Sequence, residues 1–366
     1  MKNTIGQSVS VTLFGESHGD AIGVVIDGLA PGIDIDNEFI SSQLEKRKGK
    51  NNLSTRRRES DSFRILSGVF EGKTTGTPIA VIIENEDTKS KDYGKTKDLA
   101  RPGHADYSAY CKYHGFQDYR GGGHFSGRIT APLVVAGAIA LKALESKGIK
   151  IGTHVYSCAD ISDRSFENFS EDFSLLDKLS VPVLDDEARK LIEEKIELIK
   201  CEGDSIGGIL ETAVIGVPSG VGEPWFDSVE SLLSHILFSI PAVKGVEFGA
   251  GFNFSKMCGS AANDSFRMVD GKVISETNNN GGINGGITNG MPIVFKCAVK
   301  PTPSIYKQQN TVDFIKNENA VLQIKGRHDP AIVHRAAVVV SSVTALCLID
   351  MLSQRFGTDY FCGGKI

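Results

Sequence analysis

Two stretches of the chain are apolar on nearly every side of a helical wheel. Arg128 to Ser146 and His334 to Ser353 lack the polar stripe of a surface helix, so each must be covered all round. Asp36 stands where a cap belongs for a helix running to about Lys48, and Asp227 for one through Ile240. Asp185–Lys200 differs: Leu191, Ile192, Ile196 and Ile199 share one face, while Glu193, Glu194, Lys195 and Glu197 lie elsewhere. That pattern predicts a surface amphipathic helix joining two halves of the chain. Strand-like runs at Ala80–Ile83 and Val294–Val299 follow glycine–proline turns. Such hairpin signals favour antiparallel sheets over a doubly wound parallel one. The predicted class is α+β, with long core helices sandwiched between antiparallel sheets.

The chain also echoes itself. Gly19-Asp20-Ala21-Ile22-Gly23 returns as Gly203-Asp204-Ser205-Ile206-Gly207, each leading into an apolar run that ends in a turn, Gly28–Gly32 and Gly216–Gly220. Gly68, Gly72, Thr74, Gly76, Pro78 and Ile79 match Gly282, Gly286, Thr288, Gly290, Pro292 and Ile293 at a constant offset. His104-Ala105-Asp106 is loosely echoed by His328-Asp329, each ahead of a long apolar helix. Three echoes in one order predict two pseudo-symmetric halves, about residues 5–150 and 200–355. They are expected to form a single domain over 1–366, because a core helix from each half can bury itself against the other.

Composition narrows the function classes. A formal charge of −5 argues against general nucleic-acid binding, which wants a basic surface. Seven cysteines, odd in number and without a CxxC pair, argue against a disulfide framework or a zinc site, and predict a reduced, cytoplasmic protein. No secretion-signal pattern opens the sequence. The apolar stretch Ala336 to Leu352 carries Ser341, Ser342, Thr344 and Asp350, which suits a buried core helix better than a membrane span. Forty glycines in 366 residues exceed the usual ~7% and gather in clusters, pointing to tight turns and ligand loops.

Four of those clusters carry chemistry: Gly15–Gly19, Arg101–Asp106, Gly121–Arg128 and Gly326–Pro330. His18 and His104 stand in glycine-flanked loops with acids two positions away, Glu16 and Asp106. Either histidine alone could be structural; together they suggest a paired acid/base site. A metal site is the rival use, without HxH or HExxH spacing to support it. Gly121-Gly122-Gly123, then Ser126 and Arg128 at a helix start, form a candidate cradle for phosphate or a ring oxygen. No P-loop or dinucleotide fingerprint is present. From Lys46 to Arg58 seven cations and no acid form either an anion funnel, Arg47 and Arg57 included, or a solvated or RNA-binding patch. Lys300-Pro301-Thr302-Pro303-Ser304 offers a cation and hydroxyls for a phosphate tail or polar ring, near a second glycine loop containing Gly285.

Taken together these blocks, with Asp118–Gly123, Gly203–Gly208, Gly222-Glu223-Pro224 and Ala242–Glu247, closely resemble the chorismate synthase family, from Thr4 to Met351. The resemblance implies a β-α-β sandwich with pseudo-twofold halves, and a homotetramer. It implies a lyase, the last step of the shikimate pathway to aromatic amino acids. The reaction would be anti-1,4-elimination of the 3-phosphate and the C6 pro-R hydrogen from 5-enolpyruvylshikimate 3-phosphate, with reduced FMN and no net redox change. By the same resemblance His104 would protonate the reduced flavin near N1, His18 would serve the departing phosphate, and Asp329 would relay the ring proton. Ser17 and Ser126 would position water or flavin. The flavin contacts implied are His124, Phe125, Ser126, Pro241, Ala242, Gly285, Lys300, Pro301, Thr302, Pro303, Ser304 and Arg327. Substrate or NADP contacts implied are Arg47, Asn52, Arg57 and Arg128. Three residues depart from the family pattern: His124 stands where many members have arginine, Phe125 where serine is frequent, and Asn52 where arginine is frequent. No NADPH-binding fingerprint is visible, so NADPH would act only through a separate flavin reductase. The competing classes are an anion- or RNA-binding protein using the Lys46–Arg58 segment and a metal-dependent phosphohydrolase.

Overall fold

The apolar stretches form two helices, α3 (Thr130–Glu145) and α8 (Val333–Phe356), that pack against each other at the centre of the protein. The architecture is that of a computed structural model, which describes residues 2–48, 53, 60–86, 97–324 and 328–363. By length and hydropathy α8 and the helical run Gly127–Glu145 that contains α3 could cross a membrane, but their most apolar windows are 94% and 83% buried within the protein. They are core helices.

Their contact is close because of one glycine. A Cβ added at Gly137 would lie 2.3 Å from the Ser342 Cβ and 2.5 Å from its Cα. In Gly137→Ala the gain of about 1 kcal/mol in helix propensity is therefore outweighed by overpacking. We expect a net loss on the order of 1–2 kcal/mol, read as a lower denaturant midpoint at unchanged m-value. An unchanged midpoint would show that the helices can part without cost.

The first half builds β1 (Thr4–Ile5), β2 (Ser10–Gly15), β3 (Ala21–Asp27), α1 (Asn37–Lys48), β4 (Phe63–Ile65), the hairpin β5 (Val69–Phe70) and β6 (Lys73–Thr74), β7 (Ile79–Glu84), α2 (Asp106–Tyr113) and then α3. A connecting region follows with β8 (Lys150–Cys158), β9 (Ile161–Ser162), α4 (Phe169–Leu176) and α5 (Asp186–Cys201). The second half adds β10 (Gly208–Ile215), α6 (Val229–Leu237), β11 (Val243–Phe248), the short helix α7 (Gly259–Ala262), and the hairpins β12 (Phe266–Val269) with β13 (Lys272–Ser275) and β14 (Ile283–Asn284) with β15 (Ile287–Thr288). It closes with β16 (Ile293–Val299), the hairpin β17 (Gln309–Asp313) with β18 (Glu318–Leu322), and α8.

Two antiparallel sheets result, β1-β2-β3-β7-β4 and β11-β16-β10-β8-β9. α3 lies on β2, β3 and β7, and α8 on β8 and β10. α1 and α6 pack beside them, completing a helical layer between the sheets.

The strand orders β2-β3-β7-β4 and β8-β10-β16-β11 correspond element by element. The agreement reaches single hydrogen bonds. Thr74 Oγ1 accepts from Ile33 N at 2.9 Å and donates to the Ala30 carbonyl at 2.6 Å. Thr288 Oγ1 accepts from Val221 N at 2.9 Å and donates to the Pro218 carbonyl at 2.7 Å. These are the two threonines that the sequence places at equivalent positions. Each hydroxyl fastens a hairpin over the turn that follows its half's leading strand.

Helix ends follow their caps. Asp36 Oδ1 accepts from Phe39 N, and Asp185 Oδ1 from Glu187 N and Ala188 N. The expected Asp227 cap is displaced by one residue. Trp225–Asp227 makes a 3₁₀ turn, so the Ser228 hydroxyl caps α6 instead, and the helix stops at Leu237 short of Ile240. In α5, Ile192 and Ile196 are buried while Leu191, expected on that face, is exposed.

Candidate active site

Ser17 and His18 lie in the tight turn Glu16–Asp20 between β2 and β3, and both are buried. The Ser17 hydroxyl is 3.2 Å from the carbonyls of Arg120 and Gly121, and 3.1 Å from His18 Nδ1. Carbonyls only accept, so the single hydroxyl proton goes to them and Ser17 accepts from His18 Nδ1–H. Ser17 thereby fixes the imidazole's tautomer and rotation. Ser17 N also donates to the Gly123 carbonyl at 3.2 Å.

The three glycines are turned left-handed, with φ of 57°, 87° and 54°. Their bareness has a specific use. A Cβ on Gly121 would fall 2.0 Å from His18 Cε1, and one on Gly122 would fall 3.3 Å from His104 Nε2. Two imidazoles from loops 86 positions apart thus stand over adjacent residues of one turn.

His104 is held from behind. Asp106, the first residue of α2, takes a bidentate guanidinium from Arg101 (Nε to Oδ2 and Nη2 to Oδ1, both 2.7 Å) and faces His104 Nδ1 at 2.7 Å. Burial opposes the charge on Asp106, but hydrogen bonds from Arg101 and His104 outweigh it and hold the carboxyl well below the usual carboxylate range. An ionised Asp106 must receive Nδ1–H, so Nε2, the nitrogen over Gly122, is left for other partners.

The second half reaches this place through the Lys300–Ser304 loop. Lys300 Nζ bonds the Gly103 carbonyl, and Gly103 packs near Pro303. Ala242, at φ +77°, accepts Lys300 N at 2.9 Å, and Ser205 Oγ donates to the Thr302 carbonyl at 2.7 Å. His328 lies beside Tyr306, ring centroids 5.4 Å apart. Burial, and then the Arg101 charge, push its pKa down. Thr302 Oγ1 and His328 Nε2 are buried without a hydrogen-bond partner among the described residues. Asp329 pairs with Arg335, whose Nε donates to the Arg47 carbonyl at 2.7 Å.

Other residues expected to touch ligand have partners or positions within the protein frame. Arg128 is 6% exposed; its guanidinium bonds Asp61, the Asn85 side chain at 3.1 Å and the Glu84 carbonyl at 3.3 Å. Arg47 is also buried and pairs with Asp61 at 2.9 Å. His124 Nδ1 donates to the Gly15 carbonyl at 2.8 Å, closing the end of β2. Phe125 is partly exposed, edge-on to Tyr113. Ser126 accepts Arg128 N at 3.3 Å, a helix cap as well as a neighbour of Gly122. Gly285 turns the hairpin β14–β15, which is seated on Val221–Val229 by Thr288 and by Val229 N to the Gly286 carbonyl. Pro241 sits at the turn before Ala242. Asn52, Arg57 and Arg327 lie outside the described residues. Asn85 and Asp61 carried no motif that could have announced them.

Comparison with known proteins covers nearly the whole chain. A family model described as chorismate synthase matches residues 9–353. The chain is 47% identical over 350 residues to the chorismate synthase of Thermococcus kodakarensis, covering 96% of this chain and 97% of that one. It is 49% identical to those of Pyrococcus abyssi (96% and 97% covered) and Methanobrevibacter smithii (96% and 96%). A solved chorismate synthase structure superposes with a TM-score of 0.76 at 29% identity, covering 96% of this chain and 94% of that one.

Proposed function

The chain belongs to the chorismate synthase family, and on that premise we propose that it converts 5-enolpyruvylshikimate 3-phosphate to chorismate and phosphate with reduced FMN bound. The observation that carries the reading is the meeting of His18 and His104 over Gly121 and Gly122, with the Lys300–Ser304 loop brought against Gly103. The local chemistry fits a flavin: Thr302 Oγ1 and His328 Nε2 are buried polar atoms without a hydrogen-bond partner among the described residues, suited to the polar edge of a ring.

Lys300, Thr302 and Ser304, with Pro301, Pro303, Pro241 and Ala242, would hold the cofactor. When bound, reduced flavin supplies the electron density that lets phosphate leave a ring whose hydrogen no carbonyl acidifies. The remaining work falls to this chain's groups. His104, its Nδ1–H committed to Asp106, would in its imidazolium form carry a transferable proton on Nε2 toward the flavin. His18, held by Ser17, would offer Nε2 to the oxygen on which charge grows as phosphate departs. Asp329, oriented by Arg335, would carry the ring proton away, and Ser126 would order water or flavin. Arg57 and Arg327 would balance the substrate's negative charge. A homotetramer in the cytoplasm, supplied by a separate flavin reductase, completes the proposal.

An RNA-binding use of the basic segment has less behind it: Arg47 is buried against Asp61 rather than displayed on a solvated face. The test is the purified protein with the enolpyruvyl substrate under anaerobic conditions, read by ultraviolet absorbance of the product diene. Diene should form with dithionite-reduced FMN and not with oxidised FMN. No diene in either arm rejects the reading.

A further inference from the structure

Asn85 follows the last residue of β7, where that strand ends beside the Glu16–Asp20 turn. Its backbone N–H donates to the Asp20 carbonyl at 3.0 Å. Its side-chain amide donates to the carbonyls of Glu16 and Gly19, both at 2.9 Å. Three hydrogen bonds from one residue therefore bracket Ser17 and His18. The amide's orientation is fixed by chemistry: Oδ1 faces Arg128 Nε at 3.1 Å, a group that only donates, so Nδ2 must face the two carbonyls. Arg128 is in turn anchored by the buried carboxylate of Asp61, which also takes Arg47.

From this we infer that Asn85, locked by the Asp61–Arg128 pair, is a positioning residue that sets where the His18 imidazole stands over Gly121. The inference rests on the role proposed for His18 above. An imidazole displaced by about 1 Å can cost on the order of 100-fold in rate. Aspartate in place of Asn85 keeps the shape and the Arg128 contact but turns the two loop-facing donors into acceptors opposed to carbonyls. The loop must then move, although nothing in the Lys300–Ser304 region is touched.

The experiment compares wild type, Asn85→Asp and Asn85→Ala. Steady-state turnover, oxidised-FMN binding and the histidine ring resonances in NMR are measured on each. We expect both variants to fold, to bind oxidised FMN within about twofold of wild type, and to lose about 10- to 100-fold in kcat with little change in KM. The His18 ring resonances should shift while those of His235, exposed on α6, stay in place. Unchanged turnover with unchanged His18 resonances in either folded variant overturns the inference. So does failure of both variants to fold, which would make Asn85 a stability element. If wild type itself forms no diene, the functional reading fails, and the His18 resonances still decide whether Asn85 positions the loop.

Discussion

His104→Ala should fold, bind FMN and lose about 100- to 1,000-fold in turnover, the usual cost of removing one donor aimed at developing charge. The expectation comes from how the imidazole is held. Asp106 and Arg101 form a complete bidentate pair with or without the ring, so the substitution leaves no buried charge unpaired and the start of α2 stays intact. What disappears is Nε2 over Gly122, the atom proposed to transfer the proton. The loss should appear mainly in kcat, because the groups proposed to grip substrate and flavin lie elsewhere. Near-wild-type turnover in a correctly folded His104→Ala protein would remove His104 from the mechanism.

A larger thermodynamic effect is expected far from that site. His154 on β8 is fully buried, with Nδ1 2.9 Å from Asp163 and Nε2 3.0 Å from Glu211. Carboxylates only accept, so both ring nitrogens carry protons and the ring is an imidazolium. Burial pulls its pKa down, but hydrogen bonds to Asp163 and Glu211 outweigh that and raise it overall. Both acids are lowered for the converse reason, against the opposing effect of their own burial. His154→Ala leaves two buried carboxylates whose remaining donors among the described residues are Lys296, 3.5 Å from Glu211, the Ser165 hydroxyl, and the backbone N–H groups of Arg164, Phe166, Leu184 and Asp185. Breaking such a cluster from one side costs about 3–5 kcal/mol.

Its pH dependence has a definite sign. A raised histidine pKa gives stabilisation that is complete below the unfolded value of ~6.5 and is lost as pH rises through the folded one. The lowered acids give stabilisation present above their unfolded values of ~4 and lost as pH falls through the folded ones. Wild-type stability should therefore fall on the alkaline side more steeply than that of His154→Ala, measured by urea unfolding across that range. Identical alkaline slopes would mean that the ring is neutral in the folded protein.

Local pattern was enough for much of the fold. The two all-round apolar helices, the Asp36 cap, and the paired Thr74 and Thr288 turns can be read from a few residues each, because caps and hairpins are decided by near neighbours. Asp227 failed as a cap through a single 3₁₀ turn, a difference too fine for spacing to reveal. The site was legible as clusters: glycines beside His18, His104 and Gly121–Gly123. Which glycine faces which imidazole was not, since that depends on the β2–β3 turn meeting the loop before α3. Arg128 shows the limit most clearly. A cation at a helix start after three glycines looks like a ligand fork, yet Asp61 and Asn85, 67 and 43 positions earlier, turn it into part of the frame. The pairing of His154 with Glu211 was equally hidden, set by strand register across a β-bulge at Ile209/Leu210.

If loops from both halves close around one flavin and one anionic substrate, a crystal structure with oxidised FMN and 5-enolpyruvylshikimate 3-phosphate will show them in contact with both. In that complex the isoalloxazine ring should lie against the Gly121–Gly123 turn and the Lys300–Ser304 loop, with His104 on its pyrimidine side and His18 at the substrate phosphate. Flavin bound elsewhere, with His18, His104 and Asp329 facing no common ligand, would contradict it.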